Sequence, residues 1–256
     1  MSGNAQKYHA AVSSDWSECL SPNGPFDPIS FTYPELKSEL SEIFQDYTGN
    51  RISLTQATGR IVKLLPQPIT VEQMDAYHDQ HFQAYTGVPE LIEWCLDRNI
   101  LFMINTTGTQ GYFQRAFAKG LLPRVPVVAA NPMIRFHQPQ DDQRFIHQIL
   151  EIEDKPTRTA EVIRFYHLPP EKLIIMGDSG GDGPHFQWGG ESGAFLVGNM
   201  PKDSLERYCR TANISINKRF GISYGPGEKR DPKREMEVNY MKLAEVFRAV
   251  LRVPEQ

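Results

Sequence analysis

Five short apolar runs recur along the chain: YHAAVSSD, ILFMINTTG, VPVVAANP, KLIIMGDSGGD and AFLVGN. Each is short, rich in β-forming residues and bounded by small, polar or acidic residues, which predicts buried strands. Segments of helical period lie between them, among them TQGYFQRAFAKG, TRTAEVIRFYHL and DSLERYCRTA. Strands alternating with helices predict an α/β fold with a parallel sheet. In open parallel sheets ligands bind outside the carboxyl ends of the strands, and Asp15, Thr106 and Asp178 all fall there.

Roughly eighty residues separate the first run from the second and carry no strand signal. Leu36, Leu40, Ile43, Phe44 and Tyr47 keep a helical stripe, while Ser53 with Gln56 and Thr70 with Gln73 are capping-box pairs that open two more helices. This predicts an inserted helical cap over residues 31–96, with the α/β core formed by 1–30 and 97–256. A bundle bracing the sheet edge is the alternative, but an insertion after the first strand hangs over the strand ends, where a lid belongs. One final helix is expected in KREMEVNYMKLAEVFRAVL, packed on the sheet, and a surface excursion over 214–232. No internal repeat is present.

A chain of 256 residues suits one large domain or a domain with an insertion, and it can bury a sizeable core. With 40% hydrophobic and 23% charged residues no low-complexity class is favoured. The net charge of −4 and pI near 6.0 give no electrostatic footprint for nucleic acid or an anionic membrane. No stretch approaches the roughly 18 apolar residues of a membrane span, and the N-terminus lacks a charged head followed by an apolar run, so a soluble, cytoplasmic protein is expected. Cys19, Cys95 and Cys209 are widely spaced and odd in number, which points to neither a disulfide framework nor a zinc site.

GDSGGD, residues 177–182, is the most informative stretch. It follows an apolar strand, and Asp178 and Asp182 are separated only by small residues, so both carboxylates can turn into one cavity. Hard oxygen ligands at a strand end suit Mg²⁺. A glycine-rich turn with Asp178 capping the next helix is the plainer alternative. Thr106 and Thr107 close the second strand, and with Gly108 and Thr109 leading into a helix they form a candidate anion cradle. Lys155, expected in the loop opened by EIEDKP, can neutralise phosphate as a point cation.

The order Asp15, Thr106, Lys155, Asp178 and Asp182 on those strands and loops resembles the four ordered motifs of the haloacid dehalogenase-like hydrolases. The insertion, including RISLTQATGRIVKLLP, looks like the cap of the phosphoserine phosphatase-like branch. The resemblance implies a Rossmann-like core and a phosphoaspartyl mechanism on a small phosphorylated metabolite. It would have Asp15 attack phosphorus and Mg²⁺ held by Asp15, the Ser17 carbonyl and Asp178, with Asp182 orienting the cluster. Thr106, Thr107, Lys155 and the N–H groups after Asp15 would hold the phosphoryl oxygens, and Trp16 would stand at the substrate's edge.

The chain departs from that pattern at Ser17. The first motif of such phosphatases reads DxDxT, its second Asp protonating the leaving alcohol, whereas this chain reads Asp15, Trp16, Ser17, Glu18, Cys19. A positioned acid contributes about 10²–10⁴-fold. Three readings follow. A phosphatase could take its proton from Glu18, His78, His81 or His185. A different reaction of the scaffold, of the dehalogenase or phosphonatase type, could lack that acid; the latter would need a cap lysine such as Lys63. A non-catalytic phosphate-binding protein could have kept the cradle alone. His78 and His81 otherwise read as a solvated or cap-facing pair, and His137, His147 and His167 as surface. Arg51, Arg60 and Lys63 could meet an anionic substrate group. Trp188 is expected around the site and Trp94 in cap or hinge core.

Overall fold

The computed structural model describes residues 8–48, 51–137 and 146–253. Seven strands form one sheet: β1 (Ala10–Ser14), β2 (Ile100–Thr109), β3 (Val127–Asn131), β4 (Ile146–Gln148), β5 (Leu173–Gly177), β6 (Phe195–Asn199) and β7 (Lys218–Phe220). Their order is β4-β3-β2-β1-β5-β6-β7 and every pairing is parallel. Each of the five apolar runs supplies one of the five longer strands. Side chains alternate across the pleat, so Val12, Phe102 and Ile174 join one apolar cluster while Ala11, Leu101 and Ile175 join another on the opposite face. Burial on both faces is what makes these runs continuously apolar.

The two short strands correct the sequence reading. β7 lies inside 214–232, expected as a surface excursion; its Lys218 and Arg219 are exposed and Phe220 alone is buried. Charged residues on a very short strand are how a sheet edge avoids pairing with other chains, and they erase the apolar signal.

Between β1 and β2 lie four helices, α1 (Asp27–Thr32), α2 (Lys37–Thr48), α3 (Leu54–Leu64) and α4 (Val71–His81), followed by α5 (Val88–Asp97) against β2. Both capping boxes form: Ser53 Oγ accepts from Gln56 N at 3.3 Å and Gln56 Oε1 accepts from Ser53 N at 3.0 Å, with Thr70 and Gln73 matching at 3.2 and 2.9 Å. The helices bury Ile29, Leu40, Ile43, Ile61 and Met74 in the same cluster as Val12 and Trp16, so the insert has no core separate from the sheet.

The remaining helices are α6 (Gln110–Ala118), α7 (Asp154–Phe165), α8 (Gly183–Ser192), α9 (Asp203–Thr211), α10 (Pro232–Glu235) and α11 (Lys242–Leu251). The single terminal helix expected from the sequence is thus two. Asn239 Oδ1 accepts from Met241 N at 2.9 Å, a local side-chain bond that competes with helix continuation and starts α11 afresh. Among the described residues no helix is long and apolar enough to cross a membrane. All three cysteines are free and buried.

Candidate active site

Asp15 stands directly beyond β1, its N–H bonded to Met176 O of β5 at 3.0 Å. In β2 the pairing with β3 slips between Asn105 and Thr109, so residues 106–108 leave the ladder beside Asp15. The Thr106 hydroxyl and the Trp16 N–H both favour the charged form of the Asp15 carboxylate, and Gly108 N donates to Thr106 Oγ1 at 3.2 Å. From α7 the Lys155 ammonium reaches Asp15 Oδ1 at 3.3 Å and Asp182 Oδ1 at 2.6 Å. Asp182 folds back under the β5 terminus, its Oδ2 accepting from Asp178 N at 2.9 Å and Ser179 N at 3.2 Å. Asp15, Asp178 and Asp182 each present an oxygen within 4.8 Å of the others.

A second layer of charge surrounds this cluster. Lys202, just beyond β6, lies 2.7 Å from Asp178 Oδ2 and 2.5 Å from Glu18 Oε2. Arg230 meets Glu18 Oε1 at 2.8 Å and Glu235 Oε2 at 2.5 Å, and Tyr85 donates to Glu235 at 2.5 Å. Glu18 holds this bridge at φ 60, a left-handed conformation in which a side chain is strained, so its two ion pairs stabilise an otherwise unfavourable backbone.

Five carboxylates (Asp15, Glu18, Asp178, Asp182, Glu235) therefore face three cations (Lys155, Lys202, Arg230), leaving an excess of two negative charges in a largely buried cluster. Burial pushes Asp178 up to about 7, against the pull of Lys202 and with the help of Asp182, Asp15 and Glu18. Burial likewise raises Asp15, though Lys155 opposes it. Lys155 is held charged: burial disfavours its ammonium, but Asp15 and Asp182 outweigh that and raise it. Three converging oxygens with two surplus charges fit one divalent cation of the hard, oxygen-seeking kind.

Beneath the charges runs a buried polar platform that the sequence pattern does not announce. Asn105 Nδ2 donates to the Lys155 carbonyl and to Thr159 Oγ1, both at 2.9 Å. Thr159 also lies 2.9 Å from Ser13 Oγ and 2.9 Å from His185 Nε2. Asn199 and Tyr240 both donate to the Cys19 carbonyl, Tyr240 at 2.7 Å, fixing the turn after Asp15. Gly177 is required by the same packing, because a Cβ there would stand 2.5 Å from Asp182 Cγ.

Several sequence expectations need correcting. Lys155 is not in a loop but on the first turn of α7, where Asp154 Oδ2 accepts from Leu150 N and Glu151 N. Thr106 and Thr107 do not close the strand, which runs on to Thr109; Gly108 and Thr109 lead into α6, which begins at Gln110, as expected. His185 is fully buried, bonded to Thr159 and pushed down to about 3 by burial, so it carries no proton to give at neutral pH. Glu18 is occupied by Lys202 and Arg230. His78 is not solvated but buried among aromatic rings, with Nε2 3.0 Å from Tyr112 O, while His81 is exposed beside Phe31. His147 is half-buried rather than surface. Arg51 and Arg60 both pair with Asp46 on the insert's surface, at 2.8 and 3.1 Å. Trp188 stacks on His185, and Trp94 is buried in α5. His137 and His167 are exposed or nearly so, as expected.

No family model matches the chain, and no curated protein matches it. Solved structures do. A phospho-aspartyl intermediate analogue of phosphoserine phosphatase superposes with a TM-score of 0.61 at 15% identity, over 90% of this chain and 99% of that one. A substrate-bound phosphoserine phosphatase gives 0.62 at 17%, over 83% and 95%. The chain has the haloacid dehalogenase-like fold. A haloacid dehalogenase family hydrolase from Salmonella enterica serovar Typhi, at 0.60 and 13% over 84% of this chain and 69% of that one, shares it. Within the haloacid dehalogenase-like fold, the ends of β1, β2 and β5 and the start of α7 carry Asp15, Thr106, Asp178 and Lys155.

Proposed function

We propose that the chain is a hydrolase of the haloacid dehalogenase type that cleaves a phosphomonoester of a small metabolite through a phosphoaspartyl intermediate on Asp15. The observation that carries this reading is the Lys155 ammonium held between Asp15 and Asp182 at 3.3 and 2.6 Å, inside an acidic cluster open to one divalent ion. A carboxylate and a phosphate dianion repel each other, and both approach only where fixed positive charge offsets them. Lys155, the Thr106 and Thr107 hydroxyls and the N–H groups after Asp15 hold the phosphoryl oxygens in this reading, with Trp16 against the substrate. Asp15, Asp178 and the Ser17 carbonyl would hold Mg²⁺, oriented by Asp182. When bound, the ion supplies Lewis-acid polarisation of the phosphoryl group. The helices between β1 and β2 act as the cap that excludes water from the site.

A second reading, a phosphate-binding protein without turnover, is favoured by one observation: Ser17 stands where the resemblance places the general acid, and Glu18 is locked in ion pairs. Phosphate release from a panel of phosphorylated metabolites, with and without Mg²⁺, separates the two. Turnover by the wild type that disappears in Asp15→Asn supports the hydrolase. Silence from the wild type with turnover in Ser17→Asp would support the binding protein.

A further inference from the structure

Six residues other than glycine adopt a left-handed backbone among the described residues. Asn99, His167, Asn213 and Arg252 follow or close α5, α7, α9 and α11, where that conformation is an ordinary helix terminus. Glu18, at φ 60, closes no helix. It lies in the turn after Asp15, where Cys19 N, Leu20 N and Ser21 N all donate to the Trp16 carbonyl, at 3.2, 2.8 and 3.1 Å. A glycine would take this backbone without strain. A glutamate keeps it only where its surroundings hold it there, and positions held in this way gather at functional sites.

The Glu18 carboxylate is clamped from two directions. Lys202 reaches its Oε2 at 2.5 Å, and Arg230 stands 2.8 Å from its Oε1. Arg230 is itself fixed behind that contact. Its guanidinium grips Glu235 with two bonds, Nε to Oε1 at 2.8 Å and Nη2 to Oε2 at 2.5 Å, and Nη2 also donates to the Tyr85 hydroxyl. A guanidinium paired in this bidentate way is a rigid fork. Glu235, on α10, is fully buried. Tyr85 reaches the turn by two further routes: its N–H donates to Leu20 O at 3.0 Å, and its ring stacks at 5.4 Å on Tyr240, whose hydroxyl donates to the Cys19 carbonyl. Residues 83–87, which leave the insert, and residues 230–240 therefore converge on the turn after Asp15. The two segments are also tied to each other, Thr86 Oγ1 donating to Met236 O at 2.6 Å and Tyr240 N to Thr86 O at 2.8 Å.

We propose that Arg230 is a positioning residue of the candidate active site: with Lys202 it clamps Glu18 in the left-handed conformation that shapes the turn after Asp15. The inference rests on the reading of that turn as part of the reacting site, its Ser17 carbonyl toward Mg²⁺ and its N–H groups toward the phosphoryl oxygens. Among the described residues Arg230 makes ion pairs with Glu18 and Glu235, and not with Asp15, Asp178 or Asp182, so it acts on the site through Glu18. The side chain at position 18 thus does by two ion pairs what a glycine would do by having no Cβ, and in exchange it couples the turn to the segment that leaves the insert.

The test compares the wild type with Glu18→Ala, Glu18→Gly and the double variant Arg230→Met with Glu235→Gln, each read by Mg²⁺ calorimetry and by hydrogen exchange of the Leu20 and Ser21 amides. Ala and Gly delete the same carboxylate, so the difference between them reports the backbone alone. Glu18→Ala should bind Mg²⁺ about 5- to 30-fold more weakly than Glu18→Gly and exchange the two amides faster by a similar factor, the worth of one residue's left-handed conformation. The double variant removes a buried pair together and leaves the net charge of the cluster unchanged. It should still weaken Mg²⁺ binding and speed the same exchange, which a role through charge alone would not do. Equal Mg²⁺ affinity and equal exchange in Glu18→Ala and Glu18→Gly would overturn the proposal. A wild type that binds no Mg²⁺ would count against the metal site of the proposed hydrolase instead, and exchange then decides the positioning role: faster in Glu18→Ala than in Glu18→Gly upholds it, and equal rates overturn it.

Discussion

Lys202 places its ammonium 2.7 Å from Oδ2 of Asp178, so an internal cation already leans on a carboxylate of the candidate metal cluster. The same ammonium donates to Glu18 at 2.5 Å, so one lysine divides its charge between two carboxylates. Lys202 thus offsets the acidic excess without closing Asp178 to another partner. Lys202→Met leaves Asp178 and Glu18 buried against fewer cations. The lysine is partly exposed, so the loss falls below that of a fully buried pair, about 1–3 kcal/mol. Mg²⁺ should then raise the melting temperature of Lys202→Met more than that of the wild type, and chelator should cancel the difference. Equal shifts would mean that Lys202 and the ion do not share Asp178.

Lys155 is the deeper member of the network, 2% exposed between Asp15 and a 1% exposed Asp182. Lys155→Met strands two carboxylates at once, and removing one partner of a buried pair costs about 3–5 kcal/mol. The double variant Lys155→Met with Asp182→Asn removes one stranded charge and should be more stable than the single variant. Chemical denaturation of the three proteins reads this directly; a double variant weaker than the single one would show that the lysine's methylenes, rather than its charge, are what the fold needs.

Two glycines make opposite predictions. At Gly177 a methyl would stand 2.5 Å from Asp182 Cγ and 2.7 Å from its Oδ2. Gly177→Ala therefore pushes Asp182 off the Asp178 and Ser179 N–H groups, at about 1–3 kcal/mol of overpacking, and should weaken Mg²⁺ binding measured by calorimetry. At Gly59, inside α3, a methyl meets nothing within 4 Å. Gly59→Ala should instead stabilise by about 0.4–1 kcal/mol through the unfolded chain's lost freedom, with metal binding unchanged.

These contrasts mark what a sequence can carry. The central strands are legible because burial on both faces demands unbroken apolar runs, and Asp178 and Asp182 because a tight glycine turn brings them together locally. Asp15 is legible by its place at a strand end. Lys202 and Arg230 are not, because each is one charged residue among many until the fold brings it to Glu18, 184 positions away in the case of Lys202. Asn105 hides for a similar reason: its bond to the Lys155 carbonyl exists only once β2 and α7 are neighbours. The edge strands hide because a protected edge is polar.

Glu151 supplies the last prediction, because it ties the insert to the core. Its carboxylate, just before α7, accepts from Leu54 N at 2.9 Å and Thr55 N at 3.2 Å, the first N–H groups of α3, and Thr55 Oγ1 donates to Leu150 O at 3.1 Å. Burial pushes Glu151 up, but the bonds from Thr55, Ser53 and the α3 N–H groups outweigh it and leave its pKa below the ordinary value. A lowered folded pKa means that the latch is complete above the unfolded carboxylate range and is lost as pH falls through the folded value. A carboxylate at a helix start is worth about 0.3–1 kcal/mol, so Glu151→Gln at neutral pH should lower hydrogen-exchange protection of the Leu54 and Thr55 amides about two- to fivefold. Acidification should erase the difference, because the wild type then carries a neutral group as well. Protection that stays equal in the two proteins at neutral pH would mean that packing through Ala57 and Ile61, and not this carboxylate, holds α3 against the core.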